Sequence, residues 1–167
     1  MPPTLQIRQA TPTDVPTILA LIHELAEYEH LTHEVVATVE TLEATLFGSD
    51  PCAEALIGCV EGTPAGFALF FQNYSTFLAK PGLHLEDLYV QPHHRGCGLG
   101  KALITAVAKI AQQRGCGRYE WTVLDWNTPA IEFYQSLGAE MKGDWRIMRV
   151  TGDSLTTMAE SSTYTPA

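Results

Sequence analysis

Strand-like and helix-like patterns follow one another in the order strand, two helices, three strands, helix, strand, helix, strand. That order predicts an α/β (α+β) domain, a mixed sheet flanked by helices on both faces. Three observations carry it. Apolar runs at 53–60, 65–72 and 83–90 are short and bounded by turn residues, as strands are. Val15, Ile18, Leu19, Ile22 and Leu25 recur at helical spacing behind Thr13-Asp14, a capping signal. The glycine-rich turn Arg95-Gly96-Cys97-Gly98-Leu99-Gly100 joins the strand at 83–90 to a helix over 100–114 with Leu103, Val107, Ile110 and Ala111 inward.

The remaining elements follow from the same signals. LQIRQA at 5–10 alternates as a half-buried strand, and Val35–Phe47 reads as a second helix stopped at Gly48-Ser49-Asp50-Pro51. Glu61-Gly62-Thr63-Pro64 reads as a hairpin turn. Residues 73–82, with Lys80-Pro81-Gly82, read as a loop. A strand is expected over 117–124, a short helix over Asn127–Leu137 with Pro129 in its first turn, and a final strand over Trp145–Val150. One domain over residues 1–160 with a frayed tail at 161–167 is the expectation for a chain of 167 residues.

Composition narrows the function. With 19 acidic against 10 basic residues the net charge is −9, which opposes nucleic acid as a partner and favours a cationic one. No apolar run reaches the ~20 residues of a membrane span, and MPPTLQIRQA has neither the basic start nor the apolar core of a secretory signal. A cytoplasmic protein without a membrane partner is expected. Cys52, Cys59, Cys97 and Cys116 form no CxxC pair and have no histidine at zinc spacing, so free thiols and no metal are expected. His93 and His94, adjacent in a loop, read as solvated side chains.

A glycine-rich turn that opens a helix offers backbone N–H groups and a helix dipole to an anion. Two familiar versions fail on spacing. The dinucleotide fingerprint needs glycine where the chain has Lys101, and a P-loop needs glycine at Arg95 and Ser or Thr at Ala102. What remains, Arg95 through Lys101, suits a pyrophosphate, although a plain tight connection would use the same glycines.

The run Arg95-Gly96-Cys97-Gly98-Leu99-Gly100 fits the signature Arg/Gln-x-x-Gly-x-Gly/Ala. Together with LHLEDLYVQPHHRGCGLGKAL, EWTVLDWNTPAIEFYQSLGA and LALIHELAEYE, it resembles the GNAT N-acetyltransferase superfamily and, within it, the diamine acetyltransferase branch that includes spermidine/spermine and thialysine acetyltransferases. The resemblance covers roughly residues 5 to 160. It implies an acyl-CoA N-acyltransferase fold with a mostly antiparallel sheet, acetyl-CoA as cosubstrate and no metal. It also implies direct transfer in a ternary complex to a primary amine of a small cationic substrate, and a homodimer.

The resemblance assigns residues as well. Arg95, Gly96, Cys97, Gly98, Leu99, Gly100 and Lys101 would hold the pyrophosphate of the coenzyme. The backbone of Leu88, Tyr89 and Val90 would pair with its pantetheine arm, and Asn127 would bond the arm or cap its own helix. Tyr134 would donate a proton to the departing thiolate, since a phenol ordinarily keeps its proton to about pH 10; core packing is the plain alternative for Phe133-Tyr134. Neutralising an alkylammonium at pH 7 costs about 4 to 5 kcal/mol, so a base is useful. Glu86 would serve through water and Asp87 would hold the amine. As neighbours in a strand they are expected on opposite faces, and exposed strand-edge carboxylates would look the same. Tyr28, Glu29 and Trp145 match amine-side positions. The chain departs from the polyamine enzymes at Gly143-Asp144-Trp145, where they carry a glutamate two before the tryptophan, which favours shorter or lysine-like amines. Other readings are an acetyltransferase of protein N-termini or lysines, and a non-catalytic acetyl-CoA sensor.

Overall fold

A computed structural model describes residues 1–167. The backbone groups into two units, Met1–Thr122 and Val123–Ala167.

The first unit is a five-stranded sheet with helices on both faces. Its strands, β1 (Leu5–Gln9), β2 (Glu54–Val60), β3 (Thr63–Ser75), β4 (Lys80–Val90) and β5 (Arg118–Trp121), lie in chain order across the sheet. The first four are antiparallel, and β5 joins β4 in parallel. The expected sheet and its flanking helices are therefore present. Helices α1 (Val15–Tyr28) and α2 (Val39–Phe47) cover one face, where Ile18, Leu21 and Leu46 close on Ala55, Ile57, Phe67 and Leu69. Helix α3 (Leu99–Gln113) covers the other, burying Leu99, Leu103, Ile104, Val107 and Ala111, five residues at helical spacing.

Local chemistry explains the joints. Asp14, buried between β1 and α1, takes a forked pair of hydrogen bonds from Arg8 at 2.7 and 2.8 Å and also accepts from the Thr11 backbone. Arg8 holds its carboxyl down to about 2. The β2–β3 turn is tighter than expected: Glu61 and Gly62 alone form it, both at positive φ as a two-residue hairpin demands, so Thr63 and Pro64 belong to β3. The expected loop over 73–82 is likewise mostly strand, with Asn73, Tyr74 and Ser75 paired to Gly82, Pro81 and Lys80. Glycine there marks close approach rather than a turn, because a Cβ on Gly82 would collide with Asn73 Oδ1.

In the second unit, α4 (Thr128–Ser136) forms as expected, its end capped by Asn127 Oδ1, which accepts from Ala130 N–H at 3.4 Å. The expected strand over Trp145–Val150 does not form; Arg146 through Val150 are exposed and no ladder takes them. Trp145, Ile147 and Val150 are residue types that favour extended backbone, but a strand also needs an edge to pair with. A helix the sequence patterns did not suggest, α5 (Gly152–Glu160), follows, with Thr151 at its N-cap position.

Candidate active site

The site is built around an irregularity in β4. Phe70 pairs with Leu85 and Leu69 with Asp87, so Glu86 is an extra residue, a β-bulge. The bulge reverses which residues face which helices. Leu85 lies opposite Phe70, whose ring carries the Arg114 guanidinium from the end of α3. Past the bulge, Asp87 and Tyr89 lie opposite Leu69 and Phe67, on the face that α1 covers. His84 stacks on Phe71 on that same face, and its imidazole lies 3.7 Å from the Glu86 carboxylate. Glu86 and Asp87 therefore share the α1 face. The expectation of opposite faces is corrected, since strict alternation holds only in an unbulged strand.

The end of α1 meets these carboxylates. Burial, then Glu86, then Glu29 push the Asp87 carboxyl up to about 7, and burial raises that of Glu29. Glu29 ends α1, where the helix dipole disfavours an anion, so its placement has a reason outside helix stability. Tyr28 lies beside it, partly exposed. Sequence patterns overlooked Glu24, which accepts hydrogen bonds from the Tyr89 hydroxyl at 3.2 Å and from Gln91 Nε2 at 2.9 Å. Glu24 and Tyr28 are four apart on α1 and so share a helix face; that spacing is the signal that could have found it. The result is a group of carboxylates edged by tyrosine rings, a surface that attracts an alkylammonium.

At the end of β4 the backbone is prepared for an extended partner. Pairing with β5 stops at Leu85. Gln91 N–H donates to Ala65 C=O across the β3 side, so by antiparallel alternation the N–H and C=O of Leu88 and Val90 point toward the edge that β5 leaves open. The chain then passes through a short 3-10 turn at Pro92–His94 to Gly96 (φ 79°) and Gly98 (φ 94°), the residue before α3. A side chain is strained at such φ, and glycine lets the turn present the first amides of α3. The Cβ of a residue at 96 would meet nothing within 4 Å, and one at 100 only Val90 Cγ2 at 3.8 Å, so the loop has room beside it. An open strand edge, left-handed glycines and a helix N-terminus suit the amide arm and pyrophosphate of a coenzyme A thioester.

The family model described as Acetyltransferase (GNAT) family matches residues 18–139, more than half the chain. The chain belongs to that family. An L-ornithine N5-acetyltransferase of Arabidopsis thaliana is 40% identical to this acetyltransferase over 195 aligned positions, spanning 90% of the chain and 86% of the relative. A thialysine N-epsilon-acetyltransferase of Mus musculus is 36% identical, spanning 92% and 96%. A spermidine/spermine N(1)-acetyltransferase-like protein of Homo sapiens is 32% identical over 92% of the chain, a match that spans 24% of that longer relative. Among solved structures, an integron cassette protein from the mobile metagenome of V. cholerae superposes with a TM-score of 0.78 at 24% identity, covering 94% of this chain and 98% of that one, a likeness of fold.

The other expected site residues of the acetyltransferase are placed as follows. Leu99 is buried in the α3 face, so only its backbone is available to a ligand, while Lys101 is exposed. Cys97 is half-buried with its thiol 3.0 Å from His94 C=O. Arg95 does not point at the helix end: its Nε donates to Val90 C=O at 2.9 Å, and its guanidinium lies over the Tyr28 and Tyr89 rings. In the second unit Tyr134 is half-buried in α4 beside Phe133, and Trp145 is 78% exposed. No group of three or more His, Cys, Asp or Glu side chains is arranged to hold a metal ion.

Proposed function

We propose that this acetyltransferase uses acetyl-CoA to acetylate a primary amine at the end of a short cationic chain, a diamine, polyamine or lysine-like amine, by direct transfer in a ternary complex. The observation that carries the reading is the bulge at Glu86. It gathers Glu86 and Asp87 on the face where α1 presents Tyr28 and Glu29, at the end of the strand that feeds the glycine turn.

When bound, acetyl-CoA supplies an acetyl group already activated as a thioester. The residues of the chain do the rest. The amides after Gly98, with Arg95, Gly96, Cys97 and Lys101 around them, hold the pyrophosphate, and the edge of Leu88–Val90 holds the arm. Asp87 and Glu29 draw in the ammonium, and Tyr28 receives its alkyl chain. Glu86, its side chain 55% exposed, takes the amine proton through an intervening water. Asn127 caps the helix that carries Tyr134; that Tyr134 donates a proton to the sulfur that leaves, and that Trp145 belongs to the amine side, rest on the family resemblance. The relatives named for ornithine and thialysine, and the missing glutamate before Trp145, favour a short or lysine-like amine over spermidine. A single domain, a homodimer and a cytoplasmic location belong to the same reading.

Coenzyme A release tests it. Purified protein is given acetyl-CoA and, separately, putrescine, spermidine, L-ornithine, lysine, thialysine and a histone-tail peptide. Saturable release with one free amine is expected; release with the peptide alone would replace small amines by protein acceptors, and none with any would leave an acetyl-CoA binder.

A further inference from the structure

Arg95 occupies two groups that the proposed ligands would use. Its Nε donates to Val90 C=O, a group on the open edge of β4, at 2.9 Å. Its guanidinium carbon lies 5.0 Å from the centre of the Tyr28 ring and 5.6 Å from that of Tyr89. An extended amide arm on β4 needs that carbonyl, and an alkylammonium beside Glu29 needs the face of Tyr28. One side chain thus satisfies, from within the protein, an acceptor that belongs to the anionic ligand's arm and an aromatic wall that belongs to the cation.

We propose that Arg95 is an internal placeholder whose transfer from Tyr28 and Val90 to the phosphates of coenzyme A couples the two binding sites, so that coenzyme A clears and strengthens the amine site. The inference rests on the reading of the site given above. Two features make the transfer inexpensive. The hold on Arg95 is weak, because its contacts are one neutral carbonyl and two ring faces and its side chain is exposed to solvent, where such contacts contribute little. Gly96 follows it directly at φ 79°, where even a Cβ would meet nothing within 4 Å, so the backbone beside Arg95 has room to turn. A phosphate offers Arg95 a doubly bonded, charged partner that neither a carbonyl nor a ring can match. Moving the guanidinium away uncovers the Tyr28 ring, beside Glu29 at the end of α1, for the alkyl chain of an ammonium. Because binding free energies are linked, the amine must in turn tighten coenzyme A by the same factor.

Calorimetric titration of putrescine and of L-ornithine, with and without saturating coenzyme A, reads the coupling without turnover, since no acetyl group is present. In the unaltered protein the amine Kd should fall about fivefold or more when coenzyme A is present. In Arg95→Gln, which keeps an amide donor but no charge, the amine should already bind tightly alone, and coenzyme A should change its Kd less than twofold. In the 15N-labelled protein, the Arg95 Nε–H resonance, assigned by its absence from Arg95→Lys, should move on adding coenzyme A. Equal coupling in the variant and the unaltered protein, or an amine Kd indifferent to coenzyme A while both ligands bind, would overturn the placeholder and leave the enzyme reading intact. Failure of the protein to bind either ligand would overturn both.

Discussion

A carboxyl buried beside two others keeps its proton, and Asp87 does so up to about pH 7, against an ordinary aspartate value near 3.8. The native protein therefore binds more protons than the unfolded chain between about pH 4 and 7. The contribution of Asp87 to stability falls as pH rises through that window, by an amount on the order of a few kcal/mol. Amine binding has the opposite sign, because the ionised carboxylate is the form that holds an ammonium. Asp87→Asn should thus raise Tm by several degrees at pH 8 without ligand, while amine acetylation drops tenfold or more; thermal melts and kcat/KM across pH 6–9 check the pair. Asp14 behaves in reverse. Its carboxyl is held down to about 2 by Arg8, so its stabilisation is complete above about pH 4 and is lost as pH falls toward 2. Asp14→Ala should cost about 1–3 kcal/mol in urea unfolding at pH 7, and the difference from the unaltered protein should shrink below pH 3.

At the scale of elements, β4 performs three tasks along 11 residues. Gly82–Leu85 pair with β5, Glu86 and Asp87 turn toward α1, and Leu88–Val90 leave an edge open before the glycine turn. The bulge separates the first task from the second. Because Phe70 opposes Leu85 and the adjacent Leu69 opposes Asp87, deleting Glu86 alone would leave a regular ladder with every other side chain on its present face. That deletion should fold, with its circular dichroism preserved, and be impaired in turnover. Deleting Glu86 and Asp87 together would send Tyr89 to the α3 side and Leu88 to the α1 side, and should abolish soluble folded protein. In the second unit, α4 carries the proposed proton donor. Tyr134→Phe should lower kcat about 10²-fold or more and leave acetyl-CoA affinity nearly unchanged, measured by steady-state kinetics beside calorimetry; unchanged kcat would remove Tyr134 from that role.

For the whole molecule, the charge of −9 and the carboxylates along α1 and β4 bear on the same partner. Attraction of a dication to such a surface is screened by salt, so KM for putrescine should rise more steeply between 50 and 300 mM salt than KM for a monoamine of equal length. The order of elements as far as α4, the helix faces of α1 and α3, the cap at Asn127 and the glycine turn were legible in the chain, because each depends on residues within a few positions of one another. The same holds for the residue types of the site, Tyr28-Glu29, Glu86-Asp87 and Arg95, which stand in short recognisable runs. Tertiary structure decided the rest. Whether Glu86 and Asp87 share a face depended on a one-residue mismatch with β3, which β4 does not announce by itself. Whether Trp145–Val150 became a strand depended on an available edge, and whether Arg95 met a helix end or a pair of tyrosines depended on where α1 crosses the sheet. Those are contacts between residues far apart in the chain, and their outcome is set by competition among partners that only the folded backbone brings together.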